Sequence, residues 1–196
     1  MRNQYLVRIS TLVALATFAL MTACSLSPQS GVALNGTAGV KTYREVNQSL
    51  SIQTGIPLTN STVSNFYNKT QTRMSTDGNA TKVTYASLLA HTSLTGVYCA
   101  QLVAAEQALP ATQRKVLGLV DFNETNQLMT DDIRRNVVQG YAHMFWRRDA
   151  NDYELNEMLA AMASAEQGVT PSKTQAVNLL KMACTAIGST ADSVTN

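Results

Sequence analysis

The stretch over residues 82–107 constrains this chain most. It is the longest uninterrupted helical pattern in the sequence, and it is apolar on more than one face. Leu88, Leu89, Leu94, Tyr98, Leu102 and Val103 supply bulk. Ala86, Ala90, Ser93, Val97, Ala100 and Ala104 recur as a second, small-sided stripe, along which another helix can come close. A helix apolar on several sides is buried on several sides. The remaining elements are therefore expected to pack around this one.

The flanking patterns read as helices too. Residues 42–54 place Val46, Leu50 and Ile52 inward, and Gly55 with Pro57 stops the run. Asn60 is a candidate N-cap for a helix over 61–74 that buries Val63, Phe66, Tyr67 and Met74. Residues 75–79 read as a turn. Pro110 fits the first turn of a further helix carrying Val116, Leu117, Leu119 and Val120. Thr130 caps the next, with Asp131 and Asp132 at its positive end and Arg147 and Arg148 in its last turn. Ile133, Val137, Val138, Tyr141, Met144 and Phe145 form its apolar stripe. Asn151 and Glu154 stand at capping-box spacing ahead of Leu155, Met158, Leu159 and Met162, and Gly168 ends that helix. Thr170-Pro171 opens the last one, whose Ala176, Val177, Leu180, Ala183, Cys184 and Ile187 share a face. Only residues 81–85 lean toward a strand. The expectation is an all-α bundle of about six or seven helices over 42–190, with a polar tail at 191–196.

Arg2 and Arg8 precede a mostly apolar run over 9–22, short of the roughly 20 residues of a membrane span. The run closes on Leu20-Met21-Thr22-Ala23-Cys24. These residues resemble the lipobox of bacterial lipoproteins, usually Leu-(Ala/Ser/Thr)-(Gly/Ala)-Cys. Met21 departs from it, while Thr22, Ala23 and Cys24 fit. The resemblance implies a signal peptide over 1–23 that is removed. It implies that Cys24 then carries a diacylglycerol thioether and an N-acyl chain such as palmitate. Two or more chains hold a protein stably at a bilayer where one does not. Ser25, rather than Asp, after the cysteine implies the outer membrane. The alternative is an ordinary secretory signal with a chance cysteine. Residues 24–41, rich in Ser, Gly, Pro and Asn, read as a flexible tether.

Charge is judged on the mature chain. Of 15 basic and 13 acidic residues, Arg2 and Arg8 leave with the signal, so 13 of each remain. No basic run exists and no aromatic interleaving, so nucleic acid is not an expected partner. With Cys24 lipidated, Cys99 and Cys184 remain. An even pair in an oxidising compartment reads as one disulfide, with two buried thiols as the alternative and a metal pair as a remoter one.

Three segments taken together carry a second resemblance. They are Val46-Asn47-Gln48-Ser49-Leu50 through Gly55-Ile56-Pro57, Leu94-Thr95-Gly96-Val97-Tyr98-Cys99-Ala100-Gln101-Leu102-Val103, and Leu180-Lys181-Met182-Ala183-Cys184-Thr185-Ala186-Ile187-Gly188-Ser189. Their order resembles a helical domain of uncharacterised proteobacterial envelope proteins, some of which also carry laminin-G-like modules. It implies a helical fold and pairing of Cys99 with Cys184, and brings no activity. This chain shows no appended module, so a role borrowed from the larger proteins is not expected.

Catalytic chemistry finds little footing. Gly-x-Ser-x-Gly and Ser-x-x-Lys are absent. His91 and His143 are the only histidines, both on helical patterns, and read as structural. No Cys-x-x-Cys-His offers haem attachment, and Met144, Met158, Met162 and Met182 lie on or near apolar faces, reading as packing rather than as metal ligands. Asp131, Asp132, Glu154 and Glu157 read as helix-start and solvated charges rather than an acid–base pair. The Asn60-Ser61-Thr62 and Asn68-Lys69-Thr70 triplets reflect a Ser/Thr/Asn-rich composition. Phe145, Trp146, Arg147 and Arg148 form the one local cluster suited to protein contact, because Trp, Phe and Arg are frequent interface anchors. The alternative there packs the aromatics inward and leaves the arginines solvated.

The expected function is non-enzymatic. It is that of an outer-membrane lipoprotein serving as a structural or adaptor component of an envelope assembly such as a secretion, pilus or surface structure. Its expected partners are the membrane and an envelope protein. No cofactor or metal is expected beyond the covalent lipid on Cys24. Two other readings stay open: a periplasmic-side binder of a small apolar ligand or peptide, and a lipid-anchored hydrolase using His91 or His143.

Overall fold

Thr42 starts the described fold with a capping box. Its Oγ1 accepts from the Glu45 amide at 3.3 Å, and Glu45 Oε2 accepts from the Thr42 amide at 2.7 Å. Helix α1 follows over Tyr43–Thr54. Gly55 ends it at φ +73°, its amide donating to Ser51 O at 3.0 Å, a backbone geometry that strains any residue with a Cβ. The computed structural model of the chain describes residues 41–72 and 85–190. The expected signal peptide, Cys24 and the tether through residue 40 lie outside those residues. So do Met74, the 75–79 turn, residues 81–84 and the 191–196 tail. Val46 and Leu50 are buried as expected, but Ile52 is 75 % exposed. Two residues past Leu50 on a helix of 3.6 residues per turn is the opposite face, which corrects the inward placement of Ile52. Helix α2, Ser61–Gln71, is capped by Asn60 Oδ1, which accepts from the Thr62 and Val63 amides at 3.1 and 3.2 Å. Val63 is buried, with Phe66 and Tyr67 packed at the core's edge.

The long apolar pattern is helix α3, Tyr85–Gln107. Helices α4 (Asp131–Trp146), α5 (Asp152–Glu166) and α6 (Lys173–Gly188) complete six α-helices among the described residues, with no strand among them. α3 packs on α6, α1 and α2, while α4 packs on α6 and α5, so α3 and α6 form the spine. A Cys99–Cys184 disulfide joins them, Cα to Cα 5.7 Å, across 85 positions of sequence. Beside it, a Cβ on Gly188 would stand 2.8 Å from Thr95 Cγ2 and 3.0 Å from Phe145 Cζ, so α3, α4 and α6 meet where only hydrogen fits.

The close approach therefore lies on the Thr95–Cys99 side of α3, not along the small-sided stripe. In that stripe Ala90 is buried, and Ala86 and Ala104 are exposed. Leu88 and Leu89, expected in the core, are 45 % and 56 % exposed. The reason is length. α6 ends at Gly188 opposite Thr95, so it does not run alongside the first turns of α3.

The helix expected from Pro110 to Val120 is replaced by a single 3-10 turn, Ala111–Gln113, and irregular chain. Two charged side chains hold it so. Buried Glu106 accepts from the amides of Lys115 (3.1 Å), Val116 (3.2 Å) and Leu117 (2.7 Å). Arg114 donates to the carbonyls of Leu109 (2.9 Å) and Val120 (2.7 Å) and lies 4.8 Å over the Phe122 ring. Charge-assisted bonds from Glu106 outside the segment and Arg114 within it satisfy its backbone better than a short helix would. Val116, Leu117 and Val120 are still buried, from an irregular backbone, and Leu119 faces outward.

The remaining starts follow their caps. Thr130 Oγ1 accepts from Ile133 N at 3.4 Å, and Asn151 with Glu154 closes a capping box at 3.0 and 2.9 Å. α6 begins two residues past Pro171, capped by Ser172. Between α3 and α4 a second 3-10 turn, Asn126–Leu128, sits where three helices end. Asn126 Nδ2 donates to Glu166 Oε1 (2.7 Å), and its Oδ1 accepts from Ser172 N (3.1 Å). Arg134 pairs with Glu166 at 2.9 Å in a mostly buried setting. This knot fixes the start of α4, the end of α5 and the start of α6 together.

Candidate docking surfaces

The Phe145–Arg148 cluster lies at the end of α4, and the helix turn separates its members. Phe145 is buried against Gly188, and its carbonyl accepts from Gln53 Nε2 at 3.3 Å. Trp146 is half-buried, and its indole N–H donates to Ile187 O at 3.1 Å and Thr190 Oγ1 at 2.7 Å, fastening the end of α6. Arg148 lies 4.8 Å over the Trp146 ring and donates through both arms to Glu154 at 2.7 Å. That fork, with the Asn151 amide, holds the Glu154 carboxyl down to about 2. Arg147 is exposed and sits at φ +59°, the left-handed conformation that helix ends usually give to glycine or asparagine. The cluster thus presents a cationic rim: Arg147 outermost, and Arg148 laid over the indole.

The other chemistry-bearing side chains are held in structural roles. His91 is buried, stacked on Tyr43 with ring centroids 5.7 Å apart, and burial holds its pKa below the ordinary 6.5. His143 is exposed and paired with Asp149. Asp131 and Asp132 occupy the first turn of α4, and Glu157 is exposed on α5. Met162 is buried, and Met144, Met158 and Met182 pack at the core's edge. Among the described residues no three His, Cys, Asp or Glu side chains gather as a metal site. Cys99 and Cys184 are consumed by their disulfide. A cleft of about 60 Å³ lies between Leu119, Val120, Met129, Ile133 and Ala176. Small-molecule pockets run to roughly 300–1,000 Å³, so this one is of solvent size.

A second surface was not foreseen. At the start of α1, the Tyr43 ring stacks on Tyr67 at 5.2 Å and on His91, closing an aromatic tier between α1, α2 and α3. Burial pushes the Tyr43 phenol up to about 12, with the Thr70 side chain opposing. One level up, Tyr98 donates to Asn47 Oδ1 at 2.8 Å, locking α1 beside α3. Just beyond the tier, Tyr85, Leu88 and Leu89 share one face of α3 and point outward, Tyr85 at 82 % exposure. Their apolar character reads in sequence as core. What the sequence does not reveal is where along α3 the end of α6 falls. Glu106 and Asn126 were also missed. A lone acid at the end of an apolar helix pattern was the available signal for the first.

Comparisons with protein-family models, with curated proteins and with solved structures return no match to this chain.

Proposed function

We propose that this chain is an outer-membrane lipoprotein, tethered through Cys24, whose helical domain serves as a non-enzymatic structural or adaptor component of a cell-envelope assembly. The observation that carries the reading is one of order along the chain. A lipobox-like stretch ending at Cys24 precedes a Ser/Gly-rich segment and then a helical domain crosslinked between its two spine helices. A disulfide suits the oxidising side of a membrane. The use of His91, Glu106, Glu154 and Arg134 as structural links supports a docking role over a catalytic one. The lipid fixes location, the tether gives reach, and confinement to the bilayer raises the effective concentration of partner surfaces.

The rim at Arg147 and Arg148 is the edge offered to that partner. Its test uses the left-handed backbone at Arg147. Arg147→Gly is expected to stabilise the isolated protein by about 0.5–1 kcal/mol, read from the denaturation midpoint, because glycine adopts that conformation without strain. In cells, a photocrosslinker in place of Arg147 should capture one envelope component, and Arg147→Gly should lower recovery of the same component by chemical crosslinking. Capture of no protein from positions 147 and 148, with the lipoprotein in its native membrane, would overturn the adaptor reading.

A further inference from the structure

We propose that the apolar end of α3, formed by Tyr85, Leu88 and Leu89, docks into the bilayer that holds the lipidated Cys24, so that the domain lies on the membrane by a fixed face. The inference rests on the lipoprotein reading above and adds an orientation to it. Three features meet at one end of the fold. The first is the exposed face itself, an aromatic and two leucines at i, i+3 and i+4. Tyrosine and leucine together suit the boundary between headgroups and acyl chains.

The second is where the tether reaches the domain. The first helical residue, Tyr43, stacks on His91, which lies within two turns of Tyr85 on the same helix. The chain from Cys24 therefore arrives beside the apolar face rather than at the far end of α3. About 18 residues separate Cys24 from Thr42. A chain of that length reaches at most roughly 60–65 Å when fully extended. The bilayer surface is thus kept within that reach of this end of the domain.

The third is charge. Arg44, on the first turn of α1, and Lys69, on the last turn of α2, are exposed on the helix ends that meet in the Tyr43 tier. Glu45, next to Arg44 in sequence, is held ionised by its bonds from Thr42, so these three side chains leave one net positive charge. Exposed basic side chains on the helices that flank this end of α3 favour anionic headgroups. The Tyr153 side of α5 is the natural reference surface: Tyr153 is also exposed but belongs to a helix packed on α4 and α6.

The test uses the full lipidated protein, purified from membranes and reconstituted into vesicles of phosphatidylethanolamine and phosphatidylglycerol. Leu89→Cys and, separately, Tyr153→Cys carry an environment-sensitive fluorophore. Both positions are exposed, and intact mass checks that Cys99–Cys184 stays closed and Cys24 stays acylated. The expected result is a blue-shifted emission at position 89, quenched several-fold more by nitroxide-bearing acyl chains than at position 153. Equal quenching at both positions, or a water-like emission at 89, overturns the proposal. A blue shift at 89 in lipid-free buffer, using a Cys24→Ser chain, overturns it as well. If that shift depends on protein concentration the occupant is a second copy, and if it does not the occupant is the chain itself. Absence of acyl groups on Cys24 overturns the anchoring and this inference with it. Acylated Cys24 with an unquenched position 89 overturns the docking alone.

Discussion

The two halves of α3 are built from similar residues and meet opposite surroundings. From Leu94 to Glu106, Leu94, Tyr98, Cys99, Leu102 and Val103 are buried, Cys99 is bonded to α6, and Glu106 grips the loop that follows. Before Ala90, Tyr85, Leu88 and Leu89 face outward. Composition does not separate the halves. The reach of α6 does, because it ends opposite Thr95. An apolar side chain is buried only where another element arrives to cover it, and an exposed cluster of them is informative where a lone exposed leucine is not.

The largest effect expected from that contrast is at the disulfide. Replacing Cys99 and Cys184 together by Ser removes a crosslink closing 85 positions, a loss of roughly 4–5 kcal/mol in the chain-entropy description. Leu88→Ser with Leu89→Ser should stay within about 0.5 kcal/mol of the parent, as exposed substitutions do. Denaturant midpoints measure both. A loss at the leucines comparable to that at the cysteines would break the comparison.

Next is Glu106→Gln. It keeps the shape but halves the acceptors and removes the charge facing the amides of Lys115, Val116 and Leu117. A loss of about 2–3 kcal/mol is expected. Faster hydrogen exchange at those three amides, with Tyr98 and its neighbours still protected, would place the damage in the loop. Gly188→Ala should cost about 1–3 kcal/mol by overpacking Thr95 and Phe145 in the covered half. No loss there would mean that α6 and α3 can part without penalty.

The smallest effect is pH-dependent and belongs to the junction of the two halves. Burial holds His91 below its ordinary 6.5, so the unfolded chain takes up a proton first as pH falls. Stability from this group is complete above about 6.5 and declines as pH drops from there toward the lower folded value. Glu45 and Glu154 are held below the usual carboxylate range and act at more acid pH. His91→Phe keeps a ring against Tyr43 and should flatten the melting temperature between about pH 7 and 5.5. An unchanged slope in that variant would assign the titration elsewhere.

Local chemistry made most of the fold legible. Thr130 and Asn151 announce their helices because a short polar side chain satisfies amides within its own turn. The stripe from Val137 to Phe145 lies on one face because a 3.6-residue period leaves it no other arrangement. Cys99 and Cys184 find each other because their helices form the spine. What stayed hidden depends on residues far apart in sequence. Leu88 and Leu89 look like core until the register of α6 against α3 is known. Val116 and Leu117 look helical until Glu106 takes their amides. The Phe145–Arg148 run looks like one surface until the helix end divides it. Phe145 goes inward, Trp146 ties α6, Arg148 folds over the indole, and Arg147 is left exposed. The first two depend on a partner elsewhere in the chain, and the third on where the cluster's own helix ends.

The intact mass of the native protein extracted from the cell envelope is the most direct test of the proposed anchor and of the Cys99–Cys184 crosslink. The expected species lacks residues 1–23, begins at a Cys24 carrying diacylglycerol and an N-acyl chain, and is two hydrogens lighter than the reduced form because Cys99 and Cys184 are joined. A chain cleaved elsewhere with an unmodified Cys24 would contradict the anchor, and the adaptor and membrane-docking proposals would fall with it.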